Sequence, residues 1–189
     1  MIGSIMKNPL LEVKLGKIRM KNPVMVASGT FGYGPEYADI VDLNRLGAIV
    51  VKGISLRPWE GNRTPRMVET RGGLVNAIGL QNPGVDRFVS DYIPFLDKFN
   101  VPVIVNVWGK SVGEYAEVAR RFDGVKGIAG LELNISCPNI KKGGISFGTN
   151  VKSAASVISA ARKATTLPII PKLSPAVSDI GAFAKAAED

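Results

Sequence analysis

Apolar and polar positions fall into short blocks along the chain, and the blocks change period in a regular way. Leu11, Val13 and Leu15, then Ile18 and Met20, alternate with polar residues around Gly16-Lys17, which predicts a short β-hairpin over 11–20. After it, apolar runs recur and end in polar residues. The run at 24–27 ends in Ser28-Gly29-Thr30, 48–51 in Lys52-Gly53, 101–105 in Asn106, and 167–170 in Pro171-Lys172. The stretch 131–137, Leu-Glu-Leu-Asn-Ile-Ser-Cys, begins as a buried strand and becomes polar around Cys137, with Pro138 as its expected stop. Between the runs the spacing predicts helices over 35–46, 83–99, 111–122 and 151–164, and a last one starting near Ser178. Ser111 is a good N-cap, and a glycine-bearing loop at 141–144 precedes the fourth helix.

Short apolar strands alternating with helices imply βαβ units and a parallel sheet. In doubly wound sheets and in (β/α)₈ barrels alike, ligands sit at the carboxyl ends of the strands. Here each strand end carries a polar residue: Ser28, Lys52, Asn106, Asn134 with Cys137, and Lys172. A dinucleotide fold would want a glycine fingerprint after its first strand. Residues 28–34 are rich in glycine but fit that spacing poorly, so the barrel is favoured. The fold class expected is therefore α/β, a TIM (β/α)₈ barrel. The chain supplies about its first five βα units and an N-terminal hairpin, all in one domain over 1–189.

Composition narrows the chemistry. At 189 residues, with 46% hydrophobic and 21% charged positions, the chain has the balance of an ordinary globular protein. The net charge of +8 is spread along the sequence rather than gathered in a block, which argues against nucleic acid as a partner and reads as a basic but ordinary surface, with anionic small ligands as a milder functional use of some of that charge. No apolar run is long enough for a signal peptide or a membrane span, and the single cysteine permits no internal disulfide. A cytoplasmic location is the expectation. With no histidine, triads, Cys-His dyads and histidine metal sites are excluded, and thiolate clusters go with the lone cysteine. Proton transfer must use Cys, Lys, Asp, Glu or Tyr, and redox chemistry needs an organic cofactor.

Three features stay open on residues alone. Cys137 suits either packing or chemistry, since free cysteine is often a small buried hydrophobe. Lys52 and Lys172 suit either ligand binding or pairing with barrel carboxylates, and Asn106 and Asn134 either ligand contact or satisfaction of loop backbone. The connection 54–83 is too long for an idle loop in a compact domain. Within it Asn76, Ala77, Ile78, Gly79 and Leu80 form a small-residue turn suited to a planar ligand, whereas Arg57, Arg63 and Arg66 read as a solvated face.

Six motifs in order then carry a resemblance over nearly the whole chain. Ala-Ser-Gly-Thr-Phe-Gly (27–32), Val-Lys-Gly (51–53), Asn-Ala-Ile-Gly-Leu-Gln-Asn (76–82), Val-Asn-Val-Trp-Gly (105–109), Leu-Asn-Ile-Ser-Cys-Pro-Asn (133–139) and Pro-Lys-Leu-Ser-Pro (171–175) resemble the dihydroorotate dehydrogenases. The cysteine and the Lys-Lys-Gly-Gly loop are similar to the NAD-linked branch, whose catalytic subunit works with an iron–sulfur flavoprotein subunit. The fumarate-using soluble branch is the nearest relative, while the quinone branch has a serine base and a membrane-associating extension. The resemblance implies oxidation of dihydroorotate to orotate in pyrimidine synthesis. Cys137 would remove the C5 proton while the C6 hydride passes to FMN.

It implies FMN contacts at Ser28, Lys52, Gly53, Asn106, Asn134 and Lys172, and substrate contacts at Lys52, Asn76 to Leu80, and Asn134. It implies a homodimer of catalytic subunits within a heterotetramer, with FAD and a 2Fe-2S cluster in the partner, and no metal in this chain. The sequence ends within its fifth barrel helix, whereas such a domain takes roughly 250 residues. The expectation is a truncated barrel whose phosphate-binding loops lie outside it. The alternatives are a non-catalytic remnant and an FMN barrel enzyme acting on another dihydropyrimidine.

Overall fold

The structure, a computed structural model, describes residues 11–136 and 147–188. The hairpin is present as antiparallel β1 (Val13–Leu15) and β2 (Ile18–Met20). The main sheet follows: β3 (Met25–Val26), β4 (Ala48–Ile54), β7 (Val103–Val107), β8 (Ile128–Asn134) and β9 (Ile169–Lys172), all neighbours parallel. Their spatial order is β3-β4-β7-β8-β9, which is chain order. A doubly wound sheet reverses its order at a switch point; this one never does. It is the first five strands of a (β/α)₈ barrel, as the alternation implied.

Period two divides each strand between two apolar layers. Ile49, Val51, Val105, Leu131 and Leu133 face the helices and join Phe88, Tyr115 and Phe122 in the larger core. Ala48, Val50 and Ile104 face the other way and pack with Ile18 and Met20 of the hairpin. The hairpin thus covers the inner surface of the sheet at the strands' amino ends. The same parity carries the inward face to Lys52, Asn106, Glu132, Asn134 and Lys172 at the carboxyl ends.

Helices α1 (Gly84–Arg87) and α2 (Ile93–Leu96) are joined by a π-turn over Phe88–Tyr92 and together occupy the span read as one helix. In α3 (Val112–Phe122), Ser111 accepts the Glu114 N–H as N-cap, and Tyr115, Val118, Ala119 and Phe122 are buried at i, i+3, i+4 and i+7 spacing. Each large side chain removed from water there stabilises the fold by about 1.5–3 kcal/mol. Asn150 caps α4 (Val151–Ala164) in the same way, and α5 (Ile180–Glu188) follows β9.

Two expectations are corrected. Residues 35–46 form no α-helix; they make successive i→i+3 turns (Tyr37 N to Gly34 O, Ile40 N to Tyr37 O) and a 3₁₀ turn at Leu43–Arg45. The cause is competition: the Asp42 side chain takes the Asn44 N–H and resets the backbone there. Strand β8 ends at Asn134, before Cys137 and Pro138, because Ile135 N turns back to Leu133 O and Ser136 donates to Asn134 Oδ1. The long connection also holds an unforeseen hairpin, β5 (Met67–Thr70) with β6 (Gly73–Asn76), exposed along both strands.

Candidate active site

The carboxyl ends of the five parallel strands and the turn after β6 enclose a cleft of about 640 Å³. Ser28, Lys52, Gly53, Asn106, Asn134 and Lys172 line it, with Asn76, Ala77, Ile78, Gly79 and Leu80 across from them. Every described residue that the sequence singled out therefore meets in one place. Cys137 lies outside the described residues, as does the loop at 141–144; Ser136, immediately before the cysteine, lines the cleft.

The turn is held in shape by the segment before it. Trp59 N and Asn82 N each donate to the other's carbonyl, Asn62 N bonds Ile78 O at 3.0 Å, and its side-chain amide bonds Ala77 O at 2.7 Å. Buried Asn82 accepts the N–H groups of Ser55 and Gly84 and donates to Leu80 O. That clamp holds Leu80 at φ 60, a left-handed conformation that disfavours a branched side chain. Arg66, read from the sequence as solvated, braces the loop by donating to the carbonyls of Glu60 and Asn62.

Lys52 is half-buried. Burial holds its ammonium below the ordinary lysine value, the Arg66 guanidinium adds to that, and Glu36 opposes it. Tyr33, behind Lys52, is pushed well above the usual phenol range by burial and by the neighbouring Tyr92 and Glu36, so it stays a neutral phenol. On the other side of the cleft Lys172 donates to Ser28 Oγ at 3.1 Å, and Ser28 donates to Glu132 Oε1 at 2.8 Å. Asn106, 1% exposed, donates from Nδ2 to the same oxygen at 2.5 Å. Tyr115 of α3 donates to the Asn134 carbonyl at 2.7 Å and fixes the end of β8.

Glu132 was missed in the sequence, although a signal existed. It stands two residues before Asn134 on one strand, so period two sends both to the same face. The structural alternative for Lys172 also holds in part, since its ammonium lies 3.9 Å from Glu132 Oε1.

The arrangement has the groups to hold a flat ring with a polar edge. Gly53 lets Asn106 and Trp108 pack close against the backbone of β4; a Cβ there would sit 2.8 Å from Asn106 Oδ1. The walls offer fixed amides, a hydroxyl and two cations. Among the described residues no cluster of His, Cys, Asp or Glu could hold a metal ion. The family model for dihydroorotate dehydrogenase matches residues 10–189. The chain belongs to the dihydroorotate dehydrogenase family.

Its curated relatives include the catalytic subunits of dihydroorotate dehydrogenase B (NAD(+)) from Citrifermentans bemidjiense, 54% identical over 97% of this chain, and from Geobacter metallireducens, 55% identical over 97%. The corresponding subunit from Desulforamulus reducens is 56% identical over 94% of this chain. The chain spans about 60% of the length of these dihydroorotate dehydrogenase subunits. Among the described residues no helix is long and apolar enough to cross a membrane.

Proposed function

We infer that the protein oxidises dihydroorotate to orotate with FMN as its prosthetic group. The observation carrying this reading is the convergence of five strand ends and the 76–80 turn on one cleft, each contributing residues of the family's motifs. Ser28, Lys52, Gly53, Asn106, Asn134 and Lys172 hold the flavin. Lys52, Asn134 and the turn from Asn76 to Leu80 hold the substrate. FMN, when bound, supplies the acceptor for the C6 hydride.

The chain's own groups do the rest. Lys52 is a cation in a partly desolvated wall, suited to the substrate carboxylate. Lys172 sets a fixed positive charge beside the electron acceptor, which favours its reduced anion. Cys137 takes the C5 proton; a free thiol titrates near pH ~8.5, close enough to neutrality for a base whose surroundings favour thiolate. Tyr33 is unsuited to that task, since burial holds its proton too firmly. Electrons then leave to NAD through an iron–sulfur flavoprotein subunit carrying FAD and a 2Fe-2S cluster. That reading is supported by the words "NAD(+)" and "catalytic subunit" in the relatives' names. The assembly is a heterotetramer built on a homodimer of catalytic subunits, in the cytoplasm.

The test is anaerobic reduction of the FMN-loaded full-length protein, followed by flavin absorbance. Dihydroorotate is expected to bleach the flavin and dihydrouracil to leave it oxidised. Reversal of that preference would point to another dihydropyrimidine. Failure of the purified protein to take up FMN would point to a non-catalytic remnant.

A further inference from the structure

The carboxylate of Glu132 lies at the centre of the cleft's hydrogen bonds, and nothing assigned so far uses it. Its residue is 9% exposed, on the inward face of β8, opposite Asn106 in the strand register. One oxygen, Oε1, receives Ser28 Oγ–H and Asn106 Nδ2–H, and Lys172 Nζ lies 3.9 Å away.

A carboxylate accepts and never donates when ionised, so it dictates what its partners present on their other side. Ser28 spends its one proton on Glu132 and turns lone pairs outward, where Lys172 already uses one at 3.1 Å. Asn106 spends an amide proton on Glu132, which fixes the otherwise ambiguous amide with its oxygen toward Gly53. With a neutral apolar residue at 132, both side chains would be free to rotate, and a buried Asn106 amide would lose its acceptor.

We propose that Glu132 is a positioning residue that sets the hydrogen-bond polarity of the cleft, so that the bound heterocycle meets acceptor oxygens at Ser28 and Asn106 beside the Lys172 cation. Its negative charge also offsets part of the Lys172 field on the ligand. This rests on the FMN reading for the identity of the ligand, but the polarity itself belongs to the chain alone. A ring edge that sets an N–H beside a carbonyl is the complement of such a wall, the N–H meeting an acceptor oxygen and the carbonyl meeting the Lys172 cation.

The test uses the full-length protein and has one arm without flavin. In the FMN-free protein the Asn106 side-chain amide is expected to give a downfield proton resonance protected from exchange. Glu132→Leu should abolish that protection and raise the FMN dissociation constant at least tenfold. Glu132→Gln, which keeps an acceptor oxygen and loses the charge, should retain Asn106 protection and move the bound flavin's potential upward. Should Glu132→Leu fail to fold, the glutamine variant carries the test alone through those two readouts.

An Asn106 amide unprotected in the parent protein, or FMN binding unaltered in Glu132→Leu, would overturn the positioning role. An unchanged potential in Glu132→Gln would overturn the charge offset. A parent protein that shows the protected amide but takes up no FMN would refute the flavin reading and leave the polarity assignment standing.

Discussion

Replacing Gly53 by alanine adds one methyl group to the wall of the cleft, where Asn106 and Trp108 pack against the backbone. The new carbon would lie 2.8 Å from Asn106 Oδ1 and 3.1 Å from Trp108 Cδ1, both closer than ordinary contact. A far side-chain atom could usually swing away. Here Asn106 is 1% exposed and tied by Nδ2 to Glu132, and Trp108 is 3% exposed, so neither has anywhere to go. Overpacking of this kind costs about 1–3 kcal/mol. If Asn106 gives way instead, the hydrogen bond lost is one to a charged group, worth about 1.5–3 kcal/mol. Either route gives a figure near 2 kcal/mol, or roughly thirtyfold in an equilibrium constant.

Gly53→Ala should therefore weaken FMN binding by about tenfold to a hundredfold, read by quenching of flavin fluorescence on titration into the FMN-free protein. Urea denaturation without FMN separates a general loss of stability from a local one, with the midpoint shifted and the slope unchanged. In a Gly53→Ala/Asn106→Ala pair the second change removes the clashing atom, so the two effects should fall well short of adding. Unchanged FMN affinity and unchanged stability in Gly53→Ala would refute the claim that these side chains are fixed.

Three further outcomes are expected. Lys172→Ala should lower the reduction potential of bound flavin by tens of millivolts, since a unit charge at about 4 Å is worth ~4 kcal/mol at an effective dielectric constant of 20; spectroelectrochemical titration with a reference dye reads it. Burial holds Lys52 below its ordinary value, so its charge is lost as pH rises through a value under 10.5. Orotate affinity should accordingly fall in the alkaline limb. Lys52→Arg, which keeps its charge beyond pH ~12, should abolish that fall, and an identical pH profile in both proteins would remove Lys52 from carboxylate binding. Cys137→Ala should leave FMN bound and slow its reduction by dihydroorotate at least a hundredfold in stopped-flow mixing, in line with the usual contribution of a positioned base; a normal rate would remove the thiol from the reaction.

How far the sequence discloses this molecule depends on which physical signal each part leaves. The sheet was legible because buried parallel strands are continuous apolar runs, and Val50, Ile104 and Leu131 sit in such runs. The cleft was legible because those runs stop at polar residues, which can only be the strand ends. Residues 35–46 misled because Tyr37, Ile40 and Val41 imitate helical spacing, while Asp42 and Asn44 redirect the backbone by side-chain bonds that no periodicity records. The exposed hairpin at 67–76 buries no face, so it leaves no alternation to read. Asn82 looked like one more polar residue of a motif, yet in a buried position it accepts two backbone N–H groups and donates to the Leu80 carbonyl. Glu132 was hidden between two leucines, where only parity with Asn134 reveals that it turns inward to the residues lining the cleft.

The central claim is spatial: FMN would be held at the five strand ends beside Lys172 and Asn106, with the substrate against Lys52 and the turn from Asn76 to Leu80. The most direct measurement is an electron-density map of the full-length protein crystallised with FMN and orotate. The account predicts ring density within hydrogen-bonding distance of Lys172 Nζ and Asn106 Oδ1, and orotate density against Lys52 and the turn from Asn76 to Leu80. Flavin density at the opposite end of the strands, beside the β1–β2 hairpin, would contradict it.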